Sequence, residues 1–139
     1  LLLIVSVVIS IVVLILNVYT SLLSFDVTLD TGQREVAGTV FGRNELRIVR
    51  LDGLPIDLVP EGVMLVVPHA DQPGMVGKVG SILGDHGINI GGMRVGRVAE
   101  GQHAVMVLMI DSEVSDEIRR NIAEVSGIED VRQVVFSGR

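Results

Sequence analysis

Apolar and polar positions divide the chain into three zones. Leu1 to Phe25 carry no charge, and the first sixteen residues are apolar apart from Ser6 and Ser10. Past Val18 the pattern breaks into short segments separated by turn residues. Ser24 to Leu29 alternates polar and apolar side chains, as a half-buried strand should, and Asp30-Thr31-Gly32 supplies a turn. Val36 to Phe41 is a second candidate strand, closed by Gly42-Arg43-Asn44, and Leu46 to Leu51 is a third. Asp52-Gly53 is a hairpin signal ahead of Pro55 to Leu58. This middle zone reads as a β-meander of about forty residues, a marginal core by itself. Pro60-Glu61-Gly62 marks the joint to the third zone.

From Gly62 to Phe136 the pattern is fuller. Val63 to Val67 is a continuous apolar run of the kind a central strand carries. Asp71-Gln72-Pro73-Gly74 opens a helix. Proline is tolerated in a first turn, and Asp71 stands where it can cap the exposed N–H groups. Met75, Val76, Val79, Ile82 and Leu83 recur with helical period. Gly77, Gly80 and Gly84 lower the helix propensity and are expected to let the helix approach its sheet closely. Gly87 ends the helix as a left-handed residue. A strand starts at Ile88-Asn89-Ile90 and runs through Gly91 and Gly92, where glycine signals a bulge or close backbone approach. After a turn at Glu100-Gly101-Gln102, Ala104 to Ile110 is apolar on both faces. Ser115 is an N-cap with Asp116 and Glu117 in the first turn of a second helix. Val114, Ile118, Ile122 and Val125 share one face of it. Gly127 stops that helix, and Val131 to Phe136 is a fourth strand. The predicted order, βαββαβ, is the α+β ferredoxin-like plan: a four-stranded antiparallel sheet under two helices. The expected divisions are an apolar segment over 1–18, a partial β-domain over 19–59 and the ferredoxin-like domain over 60–139.

Charge and composition narrow the function classes. Seventeen acidic residues against eleven basic ones, none in a run longer than Arg119-Arg120, give no nucleic-acid surface. Cysteine and tryptophan are absent, which removes thiol chemistry and weakens base stacking. His69, His86 and His103 show no metal-ligand spacing, and His86 reads as a surface residue favoured by the helix C-terminus. No G-x-S-x-G elbow occurs, and Gly74 to Gly80 fits neither a phosphate loop nor a dinucleotide fingerprint. Glu129 and Asp130 read as solvated turn carboxylates. The expectation is therefore no catalytic residue, no cofactor site and no metal site in this chain. The 1–18 run is short for a membrane helix, which needs about 20 apolar residues, and no basic residue precedes Arg34. It reads either as a membrane anchor or as the start of a truncated gene.

One constellation remains. The loop from His69 to Gly74 presents polar groups and helix N–H donors at a strand end, and Asn89 is expected beside it. Together they offer an imidazole, a carboxylate, an amide and N–H groups. Such a set binds a zwitterion, with Asp71 on the ammonium and Asn89 and the N–H groups on the carboxylate. Equally, Asp71 caps its helix and Asn89 fixes a turn.

Asp71-Gln72-Pro73-Gly74-Met75-Val76, the spacing to Gly87-Ile88-Asn89-Ile90, and Met93-Arg94-Val95-Gly96-Arg97 resemble an ACT domain, the small regulatory module of amino-acid metabolism. Val36 to Gly42 and Arg47 to Gly53 resemble the end of the intervening substrate-binding-like domain of long-form D-3-phosphoglycerate dehydrogenases. The resemblance implies a regulatory tail with L-serine as effector. It implies a homo-oligomer in which ACT sheets pair side by side, with effector at the seam, and a cytoplasmic location. The matching effector positions are His69, Asp71 and Asn89, with Gly74 at the loop–helix junction. Some members carry Asn where Asp71 stands. NAD and the catalytic Arg, Glu and His belong to domains of the parent enzyme that this chain lacks. Two alternatives are a membrane-tethered ACT sensor held by 1–18 and the ACT-containing part of an iron–sulfur L-serine dehydratase.

Overall fold

The structure, a computed structural model, describes residues 22–29, 32–41, 43, 45–97 and 101–136. The apolar run at 1–18 and the turn residues Asp30, Thr31, Gly42, Asn44 and Glu100 lie outside them. Between Pro60 and Glu61 the chain divides into two compact units.

In the first unit, β1 (Leu22–Leu29), β2 (Gly32–Phe41), β3 (Glu45–Leu51) and β4 (Leu54–Leu58) form an antiparallel meander in chain order. The β3–β4 hairpin turns on Asp52 and Gly53, whose φ angles are 48° and 78°. A two-residue turn with positive φ at both positions matches the twist of its strands, and Asp-Gly adopts it readily. The Asp52 carboxylate also accepts a hydrogen bond from the Glu35 N–H at 3.2 Å, tying the turn to β2. Ala37, Ile56 and Leu58 are buried.

The second unit contains β5 (Gly62–Ala70), α1 (Met75–Asp85), β6 (Ile90–Arg97), β7 (His103–Ile110), α2 (Asp116–Ala123) and β8 (Arg132–Phe136). Its sheet is ordered β6-β7-β5-β8 with antiparallel neighbours throughout, the ferredoxin-like arrangement. The interior strand β7 is buried from Ala104 to Leu108, which is why it is apolar at successive positions. The core between sheet and helices joins Leu65 and Val67 of β5, Met75, Val79 and Leu83 of α1, Met106 and Leu108 of β7, and Ile122 of α2.

The helix ends differ in how well they follow their sequence signals. Ser115 caps α2, its hydroxyl accepting from the Ile118 N–H at 3.3 Å. At the end of α1, Gly87 has φ 70°, the Ile88 N–H reaches the Leu83 carbonyl and the Gly87 N–H reaches that of Gly84. That is a Schellman closure, which needs a left-handed residue. The start of α1 departs from expectation. Its N-cap is Gly74, at φ 86° and without a side-chain cap, so Asp71 does not cap the helix. The strand continues to Ala70, and the Asp71 N–H is held by the Gln102 carbonyl at 2.7 Å, three residues short of the cap.

The glycines of α1 also depart from expectation. A Cβ built at Gly77, Gly80 or Gly84 would meet nothing within 4 Å, so none marks a close approach to the sheet. Val76 belongs to the exposed side of the helix as well. Gly92 behaves as predicted. The β6–β7 register shifts between Ile90 and Gly92, and a Cβ at Gly92 would lie 2.7 Å from the Met109 Cε. Among the described residues no helix is long and apolar enough to cross a membrane.

Candidate functional site

Strand direction decides which loops meet. β5 and β6 both pair antiparallel with β7 and therefore run parallel to each other. The end of β5, the start of α1 and the end of β6 lie at one end of the sheet, with the start of β7. The start of β6 and the end of β7 lie at the other.

His69 occupies the first of these ends. It continues the β5 face of Leu65 and Val67 at the strand's two-residue period, and so points toward the helix layer. Its side chain is buried, and Nδ1 lies 2.8 Å from the Ala70 carbonyl oxygen. A carbonyl only accepts, so Nδ1 carries the proton in the neutral ring and Nε2 presents its lone pair. Nε2 is buried and has no hydrogen-bond partner among the described residues. A buried polar atom without a partner costs free energy, and in a native protein it calls for an explanation.

Asp71 adjoins it. One carboxylate oxygen accepts from the Arg97 guanidinium at 3.1 Å and from the Gly101 N–H at 3.4 Å. Behind them, the segment after α2 is laced to the end of β5. The Ala70 N–H donates to the Gly127 carbonyl at 2.8 Å, and the Glu129 N–H to that of Pro68 at 2.9 Å. Gly127 suits the site by its φ of 96°, and a Cβ there would lie 3.2 Å from the Met75 Cε, which would have to give by a few tenths of an ångström. Glu129 and Asp130, expected to be solvated, are part-exposed, and each also makes a side-chain contact. Glu129 contacts His103 at 2.5 Å and Asp130 contacts Arg132 at 2.6 Å.

Asn89 is at the opposite end. Its side-chain amide donates to the Asp111 carboxylate at 3.2 Å, and its backbone carbonyl accepts from the Asp111 N–H at 3.2 Å. His69 pairs with Ala104 of β7, seven positions before Asp111. At ~3.3 Å per residue the two ends are roughly 23 Å apart. The expectation that Asn89 lies beside the His69–Gly74 loop therefore fails within one chain, because β6 begins where β5 begins. His69, Asp71 and Gly74 come together; Asn89 does not join them.

Arg97 carries no role in the sequence pattern alone. Its signal is strand parity: a β6 parallel to β5 must deliver its last residue to the loop that β5 enters. His86 follows expectation as a surface residue at a helix C-terminus, with Nδ1 2.8 Å from the Ile82 carbonyl. No group of three or more His, Asp or Glu residues suited to a metal ion occurs among the described residues.

Residues 63–127 match the ACT domain family. Over longer stretches the chain is similar to proteins named D-3-phosphoglycerate dehydrogenase. Identity to that of Methanocaldococcus jannaschii is 38% over 102 residues, covering 73% of this chain and 19% of the relative. For Synechocystis it is 35% over 116 residues, 84% of this chain and 21% of the relative. The chloroplastic D-3-phosphoglycerate dehydrogenase 3 of Arabidopsis thaliana is 40% identical over 102 residues, 73% of this chain and 17% of the relative. The chain thus matches about a fifth of the length of these relatives.

Proposed function

We propose that this chain, whose residues 63–127 match the ACT domain family, is an amino-acid-sensing regulatory segment of a D-3-phosphoglycerate dehydrogenase, with L-serine as its effector. The observation that carries the reading is the polar cluster at the open end of the sheet. A buried imidazole with an unpartnered Nε2 sits at the strand end that also carries a carboxylate and a guanidinium. The similarity to proteins named D-3-phosphoglycerate dehydrogenase supports that parent over the serine dehydratase alternative.

The separation of Asn89 from His69 and Asp71 fits a site made by two chains. β6 is an edge strand, and edge strands offer unpaired backbone groups. Two copies joined antiparallel along β6, about a two-fold axis near Met93 and Arg94, bring residue 90 of one chain opposite residue 97 of the other. Asn89 of each then faces the partner's His69–Gly74 loop. The β8 edge offers no such reunion, since β6 is on the far side of the sheet from it.

Calorimetric titration of L-serine into the full chain tests the proposal, with glycine and L-alanine as controls. Saturable serine binding that Asn89→Ala weakens at least tenfold is the expected result. A folded protein that takes up no L-serine refutes it.

A further inference from the structure

The Asp71 carboxylate meets a cation within its own chain. Arg97, from the end of β6, reaches it at 3.1 Å across 26 positions of sequence, and the Gly101 N–H lies 3.4 Å from the same oxygen. The carboxylate is 16% exposed and the Arg97 side chain 51%. So exposed an ion pair contributes little to folding. Its position is more informative: Asp71 is two residues from His69, whose Nε2 is buried without a partner among the described residues.

The pair poses a problem for any ligand that brings only an ammonium group to Asp71. The guanidinium is a cation, so it competes for the carboxylate and repels an incoming ammonium. An α-amino acid resolves this, because its carboxylate is one carbon from its ammonium. The ammonium takes Asp71, the ligand carboxylate takes the planar guanidinium fork, and one internal ion pair is exchanged for two with the ligand.

We infer that Arg97 is a specificity-determining residue of the effector site, and that Asp71 and Arg97 form a zwitterion clamp closed on itself when no ligand is present. The inference rests on the amino-acid-sensing reading above and adds to it which group holds the effector's carboxylate. It makes the site selective for free α-amino acids against simple amines and amino-acid amides. Asn89 of a second chain then shares recognition of the effector with Arg97 rather than holding its carboxylate alone.

The test is calorimetry on the full chain with L-serine and L-serinamide, which keeps the ammonium and lacks the carboxylate. Wild type should bind L-serine about 10- to 100-fold more tightly than L-serinamide, the range of one charge-assisted contact. Arg97→Gln should lose serine affinity by a similar factor and bring the two ligands close to parity. Arg97→Lys, which keeps the charge without the fork, should fall between. Because a loss of fold would imitate loss of binding, each variant's far-UV circular dichroism and melting temperature are measured alongside. Unchanged serine affinity, or an unchanged serine-to-serinamide ratio, in Arg97→Gln overturns the inference and leaves the sensing reading standing. No L-serine binding by folded wild type overturns both.

Discussion

Gly87, just past the end of α1, and Gly77, inside it, are the same residue type, and replacing each with alanine is expected to have opposite effects. Gly87 sits at φ 70°, where a side chain is strained, so Gly87→Ala should destabilise the protein by about 1 kcal/mol. Gly77 lies inside α1 with open space where a Cβ would project. Gly77→Ala should stabilise by roughly 0.5–1 kcal/mol through helix propensity. Urea denaturation midpoints of the two variants measure both signs in one experiment. The sequence disclosed the first glycine and misled on the second. A glycine just past a periodic apolar stripe is tied to its conformation by local chemistry. A glycine within the stripe carries no mark of which neighbour, if any, it approaches. Asp71 repeats the lesson. Its residue type suits an N-cap, but the extra length of β5 and the bond to Gln102 leave the cap to Gly74.

At the level of elements, the apolar pattern specified the sheet closely because burial is periodic. β5 and β7 are the two interior strands, and both read as near-continuous apolar runs. Leu108 of β7 is fully buried between sheet and helices. Leu108→Ala should cost about 2–5 kcal/mol, a large part of the ~5–15 kcal/mol typical of a whole domain. Guanidinium unfolding followed by circular dichroism measures the loss; under 1 kcal/mol would contradict the placement of Leu108 in the core. The relation between elements was less legible. His69, Asp71 and Gly74 are neighbours in sequence, and their proximity follows from any fold with a loop there. Whether Asn89 or Arg97 joins them depends on the direction of β6. A βαββαβ order settles that direction only when each strand is traced from one end of the sheet to the other. Traced so, it brings Arg97 to the loop and sends Asn89 away.

For the whole molecule, the same tracing turns a sequence constellation into a prediction about assembly. A site that needs Asn89 together with His69 and Asp71 needs two chains. The β6 edge, where Val95 is 43% exposed, is the surface that supplies the second. An inserted lysine is a common device for blocking edge pairing. Val95→Lys should therefore convert a dimer to a monomer by light scattering at tens of micromolar while leaving the circular dichroism spectrum unchanged. It should weaken serine binding along with dimerisation.

Subunit mixing tests the two-chain site most directly. Asp71→Ala and Asn89→Ala chains are prepared separately, titrated with L-serine, then unfolded together, refolded and titrated again. Each variant alone should bind poorly. In a two-fold dimer, half of the randomly mixed pairs are heterodimers, and each has one intact site and one doubly altered site. The mixture should regain about one quarter of the wild-type binding capacity at wild-type affinity. If both variants are folded and deficient and the mixture regains nothing, the effector site is not shared between chains, and the seam between two β6 edges is not where L-serine binds.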